Sequence, residues 1–239
     1  MSRIKVLAAG SLRVVWPTLI SAFERESGVT VTTDFGPAGL LLQRIEQGER
    51  CDLFASANSA HPQSLVNKGS ALDIGLFTHN KLCLSVTTKL AAEGRDWLDL
   101  LLDPTLRLAT STPLSDPSGD YTWQLFERIE ATHPGKGNAL KKRAMTLVGG
   151  PQSAAIPPGE LAASWLLSSG QAEMFIGYQS YAPLLKAGGE VVTIAIPAPW
   201  QIKAEYGFAL CQESARPLAA FLLSAKAKQI FKAAGFCSE

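Results

Sequence analysis

The chain lacks an excess of charge of either sign, and that is its first exclusion. Its 22 basic and 21 acidic residues leave a formal net charge of +1. No run of Lys or Arg is dense enough to neutralise a series of phosphates, so nucleic acid is a poor candidate partner. The basic triplet Lys141-Lys142-Arg143 reads as a solvated helix face and is given no role. Long apolar runs are also missing. None approaches the eighteen or more residues that a membrane-spanning helix needs, so direct membrane insertion is not expected. Cysteine is scarce: Cys51, Cys83, Cys211 and Cys237 are widely spaced and form no CxxC, which argues against a zinc site. Buried thiols are the default reading, and the even count also permits disulfides in an oxidising compartment.

Catalytic signatures are absent too. There is no GxSxG, HExxH, P-loop or Rossmann glycine pattern, and therefore no nucleophile with an evident base. The histidines His61, His79 and His133 fall in loop-like or helix-start contexts and read as surface residues. No enzyme activity is expected. No export leader is visible either: Met-Ser-Arg-Ile-Lys runs at once into an apolar strand pattern, without a hydrophobic segment and a small-residue cleavage site. Two expectations stay open, a periplasmic or extracellular membrane-associated protein whose leader was removed, or a cytoplasmic one.

What is present fits a globular protein. The 239 residues, 46% hydrophobic and 18% charged, suffice for one large domain or two small lobes. Ile4 to Ala9 is a short apolar strand ended by Gly10-Ser11, and Leu12 to Arg25 repeats apolar residues at helical spacing. Val29 to Phe35 is a second β-rich run, Gly36-Pro37-Ala38-Gly39 turns, and Leu40 to Gln47 is helix-forming. A third pass gives strand Asp52 to Ala55, turn Ser56-Ala57-Asn58 and helix Pro62 to Lys68. The first third is thus βαβαβα with a parallel sheet, a pattern that places ligands at the carboxyl ends of strands. The alternation resumes with Leu82 to Thr87, helix Trp97 to Leu102, strand Leu106 to Thr110, a turn through Ser118-Gly119 and helix Tyr121 to Ile129. Helix Glu160 to Ser168, strands Glu173 to Tyr178, Glu190 to Ile196 and Ala204 to Cys211, and two terminal helices follow. The fold class is α/β, in two lobes. Trp123 and Trp165 read as core residues.

Turns from strand into helix can hold an anion, because helix N-termini offer unpaired backbone N–H groups and a favourable dipole. In Ala8-Ala9-Gly10-Ser11-Leu12, Ser11 is placed to be an N-cap, an anion ligand, or both. Phe35-Gly36-Pro37-Ala38-Gly39 has small residues that permit close backbone approach. Asp52-Leu53-Phe54-Ala55-Ser56-Ala57-Asn58 offers a third such turn.

Together these segments resemble the periplasmic molybdate-binding proteins of ABC transporters and the related archaeal tungstate/molybdate binders. The match lies in an AGSL turn, a PAG-type turn and the stretch Ile45-Glu46 to Ala57. It continues through Asp116-Pro117-Ser118-Gly119-Asp120-Tyr121 and Ile176-Gly177-Tyr178, so it covers most of the chain. The resemblance implies a type II periplasmic-binding-protein fold, two α/β lobes joined by two crossover strands that close on the ligand like a hinge. Its crossovers fall near His79 to Leu82 and Ile196 to Trp200, giving residues 1–80 plus 198–239 as lobe one and 81–197 as lobe two. It further implies a monomer that serves an ABC-transporter permease and takes molybdate or tungstate as ligand, with no cofactor.

Carried over by position, the family's contacts fall on Ser11, Ala38, Ala57, Ser118, Glu160 and Tyr178. Ala38 stands where the bacterial proteins carry a hydroxyl residue and can offer only its backbone N–H. Asp116 and Glu160 match acidic residues of the archaeal group, in which two carboxylates are understood to bind the metal directly and make it six-coordinate. Without that role, Asp116 begins a turn and Glu160 is a first-turn helix acid. Two other functions stay open: a cytoplasmic oxyanion sensor or regulator with the same fold, and a binder of another anion such as sulfate.

Overall fold

The computed structural model describes residues 3–237; residues 1–2 and 238–239, which the expected first lobe includes, lie outside it. The chain divides into two units, Met1–Asn80 with Ala204–Glu239, and Lys81–Lys203. The first begins β1 (Arg3–Ala9), a 3₁₀ turn (Gly10–Leu12), α1 (Trp16–Ser27), β2 (Thr30–Gly36), α2 (Ala38–Glu46), β3 (Leu53–Ser56), α3 (Ala60–Asn67) and β4 (Asp73–Asn80). The second contains β5 (Leu82–Thr87), α4 (Thr88–Ala91), α5 (Trp97–Leu102), β6 (Leu108–Ser111), α6 (Pro117–Thr132), α7 (Lys136–Arg143) and β7 (Met145–Val148). It continues with α8 (Ala162–Ser168), β8 (Met174–Tyr178), α9 (Ala182–Gly188) and β9 (Val191–Ala195). The chain then returns to the first unit for β10 (Ala204–Leu210), α10 (Arg216–Leu222) and α11 (Ala225–Ala233).

Each unit is built on a five-stranded sheet, ordered β2-β1-β3-β10-β4 in the first and β7-β6-β8-β5-β9 in the second. In each, three strands run parallel and the fourth is antiparallel. That antiparallel strand, β10 or β5, is the first strand the chain forms after crossing from the other unit. The two sheets therefore share one plan, which is that of type II periplasmic binding proteins. Burial follows sheet position. Ile4, Val6, Leu7, Ala8 and Ala9 of β1 are buried, as a strand covered on both faces requires, whereas edge strand β2 is threonine-rich and nowhere fully buried.

Helix boundaries moved where proline decides them. The helix expected from Leu12 begins instead at Trp16, after the 3₁₀ turn, with Pro17 in its first turn, where a missing N–H costs no hydrogen bond; it ends at Gly28 with φ 69°. The helix expected from Tyr121 begins at Pro117, so the anticipated Ser118-Gly119 turn is its first turn. Conversely, the helix expected from Glu160 starts only at Ala162, because Leu161 is extended (φ −93°, ψ 146°). Strands β4 and β7 and helices α7 and α9 carry no pattern strong enough to be anticipated.

Other expectations need correction. Residues 198–203 go with the second unit rather than the first. The carboxamide of Gln201 is the tie, accepting from Leu82 N–H at 2.8 Å and donating to Leu82 C=O at 2.9 Å. Trp200 adds ring contacts with Trp97 and His133. His79 is no surface residue: it lies in β4, 5% exposed. The basic triplet is not merely solvated, since Lys141 pairs with Glu127 and Arg143 donates to the carbonyls of Leu101 and Leu106. The four cysteines are free thiols, with Cys51 and Cys83 buried. Burial pushes the Cys83 thiol up to about 12. Among the described residues no helix is long and apolar enough to cross a membrane.

The start of α6 packs directly on the end of β6. A Cβ at Gly119 would lie 2.5 Å from Pro113 N and 2.8 Å from Ser111 O, both backbone atoms that cannot rotate away. Gly119→Ala is therefore expected to destabilise the protein by about 1–3 kcal/mol, as overpacking does. Urea unfolding monitored by tryptophan fluorescence reads this as a lower midpoint at unchanged slope.

Candidate ligand-binding site

In the first unit the parallel register brings three turns to one sheet edge. Ala9 of β1 pairs with Gly36 of β2, and Ala8 pairs with Ala55 of β3. Ser11 and Ala38 each lie two residues beyond the Ala9–Gly36 pair, and Ala57 lies two beyond Ala55, one position short of Ser11 in register, so all three sit just past the carboxyl ends of adjacent strands. Ala38 is the first residue of α2; its N–H has no intrahelical acceptor, and the first such bond is Leu41 N–H to Pro37 C=O. Ala38 and Ala57 are 1% exposed, and an alanine side chain carries no hydrogen-bond donor. The Ala57 turn is held by Asn58, whose Oδ1 accepts from Ser56 Oγ–H and from His61 N–H, both at 3.0 Å.

Ser11 does not act as the N-cap. It lies inside the 3₁₀ turn, where Ala9 takes the cap position without a side-chain bond. The Ser11 hydroxyl instead meets the hydroxyl of Tyr206 at 2.8 Å. Arg13, two residues on, lays its guanidinium over the Phe35 ring at 5.4 Å and puts a positive charge beside the β1 and β2 turns.

The second unit repeats the device. Thr112 continues β6 toward β7 by two bonds to Val148 C=O, from its N–H at 2.9 Å and its hydroxyl at 2.8 Å. Asp116 caps α6, accepting from Ser118 N–H at 3.2 Å, and Ser118 is 4% exposed in the first turn. Burial, with help from Asp120, pushes the Asp116 carboxyl up to about 6, although the Ser118 N–H and the Ser111 hydroxyl pull it back. Gly149 has φ +74°, and a Cβ there would stand 2.6 Å from Asp116 Oδ2, so the close approach of this turn to the carboxylate requires glycine. Tyr178 ends β8, 5% exposed, and its backbone is paired with Leu82 of β5. Since Ala109 pairs with Phe175, β6 and β8 also end at one edge.

Asp116, Ser118 and Tyr178 thus belong to a single sheet edge. Glu160 stands apart: it is exposed in the loop before α8, with its N–H bonded to Pro157 C=O. Among the described residues no group of three or more His, Cys, Asp or Glu side chains could hold a metal ion. Tyr206 and Gly149 went unnoticed in the sequence. Tyr206 reaches Ser11 only through the β10–β3 pairing, and one glycine among many carries no signal of its own.

A protein whose two sheets end in turns lined with backbone donors belongs to a class that holds a small solute. The chain belongs to the family of bacterial extracellular solute-binding proteins, which matches residues 4–237. It is 45% identical over 208 residues to a protein of Pasteurella multocida, 86% of each chain being covered. It is 30% identical over 140 residues to the molybdate-binding protein ModA of Escherichia coli, covering 54% of this chain and 52% of that one. In fold it is similar to the periplasmic molybdate-binding protein of Azotobacter vinelandii (TM-score 0.76, 21% identity, 99% of both chains). It is similar as well to the sulfate-binding protein SubI of Mycobacterium tuberculosis (TM-score 0.79, 20% identity, 99% of this chain and 86% of that one).

The raised carboxyl has a consequence for the ligand-free protein. An acid whose folded pKa lies above its unfolded value favours folding most when protonated in both states, and that advantage is lost as pH rises through the folded pKa. Asp116 therefore subtracts stability between about pH 4 and pH 6. Asp116→Asn, which keeps an oxygen for the Ser118 N–H, is expected to flatten this part of the stability–pH curve; denaturant midpoints at half-unit pH steps check it.

Proposed function

We propose that this chain captures a tetrahedral oxyanion, molybdate or tungstate, and delivers it to the permease of an ABC importer without catalysing a reaction. The observation that carries the reading is the alignment of Ser11, Ala38 and Ala57 at one edge of the first sheet. Backbone amides and hydroxyls at helix starts suit a doubly charged anion, because they neutralise it with fixed dipoles rather than with mobile counter-charges. The second donor set is Ser118 at the start of α6 and Tyr178 at the end of β8.

The choice of metal oxyanion leans on the sequence likeness to ModA; the fold likeness extends to a sulfate binder, so sulfate is the competing ligand. Selection among oxyanions in a donor-lined site comes from cavity size and from protonation, since amides cannot accept a hydrogen bond from a protonated ligand. Calorimetric titration of the purified chain with molybdate, tungstate, sulfate and phosphate tests the reading. Molybdate and tungstate are expected to bind far more tightly than the other two, and binding of sulfate alone would overturn the ligand assignment.

Asp116 and Glu160 extend the proposal to direct metal ligation. A carboxylate facing a divalent anion is repelled unless it is protonated or bonded to the metal. The upward shift of Asp116 is in keeping with either outcome, while the exposure of Glu160 means that its loop must move to bring it to the ligand. K-edge absorption of the tungstate- or molybdate-loaded protein is expected to show a six-coordinate centre, and a purely tetrahedral spectrum removes both carboxylates from the ligand set.

A further inference from the structure

Two of the four cysteines come together where the returning strand enters the first sheet. Cys51 stands two residues before β3 and Cys211 directly follows β10, and these strands pair antiparallel with Leu53 opposite Leu210. The ladder runs one step further. Asp52 C=O accepts from Cys211 N–H at 3.0 Å and from Gln212 N–H at 3.1 Å, while Asp52 N–H donates to Lys5 C=O at 2.8 Å. The backbone is therefore fixed beside both cysteines, and their thiols are hydrogen-bonded to each other. Cys83 lies in β5 of the second unit and Cys237 pairs with His79 of β4, so both belong to other neighbourhoods.

The two thiols are not alike. Cys51 is 5% exposed, whereas Cys211 is partly open to solvent. The hydrogen bond from Cys51 lowers the Cys211 thiol, with burial working against it; the same bond, together with burial, raises Cys51. The thiolate is the nucleophile in thiol–disulfide exchange, so the reachable sulfur of the pair is also the one that ionises more readily.

We propose that Cys51 and Cys211 form a modification site, a dithiol that closes to a disulfide by exchange with an oxidising disulfide and thereby staples β10 to β3. Cys211 Sγ attacks the external disulfide, forms a mixed disulfide with one half of it and expels the other half as a thiolate. Cys51 gives up its proton, attacks Cys211 Sγ and expels the second half. Two protein thiols are oxidised and one external disulfide is reduced to two thiols. The bridge closes a loop that contains the whole second unit, and a crosslink across a long loop restrains the unfolded chain more than a local one does. An oxidising compartment keeps such a bond, and a reducing one keeps the thiols. The pair sits at the amino end of β3, whereas the Ala57 turn follows its carboxyl end, so nothing in this depends on which ligand the chain takes.

The test uses the full chain, with oxidised glutathione as oxidant and dithiothreitol as reductant. After oxidation the intact mass is expected to fall by two hydrogens, and iodoacetamide in denaturant is expected to label Cys83 and Cys237 alone. Tryptic digestion should then yield the peptides that carry Cys51 and Cys211 joined to each other. Four labelled thiols, or a bridge through Cys83 or Cys237, overturns the proposal. Cys51→Ser is expected to stop at a glutathione adduct on Cys211, whereas Cys211→Ser should acquire none on Cys51; the reverse pattern overturns the order of attack. The urea midpoint of the bridged chain is expected to rise and to return on reduction. An unchanged or lower midpoint with the bridge in place overturns the stapling role.

Discussion

The structure depends on the register of its parallel strands. A parallel ladder fixes not only which strands are neighbours but where each one stops, and here Ala9 and Gly36 stop together. Because the chain must turn into a helix after each parallel strand, the N–H groups that the helix starts leave unbonded are gathered on one edge. A donor cluster is thus a by-product of packing helices on a parallel sheet, and it requires no charged side chain. On the function proposed above, that is how a chain of almost balanced charge would hold an anion.

The same device occurs in both units, with different side chains to finish it. In the first unit the turns come with a hydroxyl, that of Ser11, which meets the hydroxyl of a buried tyrosine. In the second they come with a carboxylate that caps α6 and whose burial pushes it up to about 6. A helix start that carries its own acid is already partly satisfied, so the two edges are not equivalent toward an anion. For the proposed ligand, the second edge differs from the first in carrying a negative group that would have to be neutralised or protonated.

Glycine and proline set the fine geometry around these edges. Pro17 and Pro117 mark true helix starts, because a missing N–H does no harm there. Gly119 lets α6 press against the backbone that leaves β6, and Gly149 lets another turn approach Asp116. These residues do not contact a ligand by virtue of their chemistry. They decide where the proposed contact groups are placed.

Sequence alone determined the strand-turn-helix order, the parallel arrangement of β1, β2 and β3, and the positions of the small-residue turns, since all of these follow from local periodicity and from turn chemistry. It also placed Ser11, Ala38, Ala57, Asp116, Ser118 and Tyr178 at strand ends or helix starts. It misjudged His79, whose environment is set by β4 lying against β10, and Glu160, because the loop before α8 outlasts the helical pattern by two residues. Tertiary structure alone decided that β10 inserts between β3 and β4 and so brings Tyr206 to Ser11, 195 residues away in the chain. No local pattern encodes that contact; it exists because the chain leaves the first unit, builds the second and returns, and only the burial of a shared core fixes where the returning strand goes in.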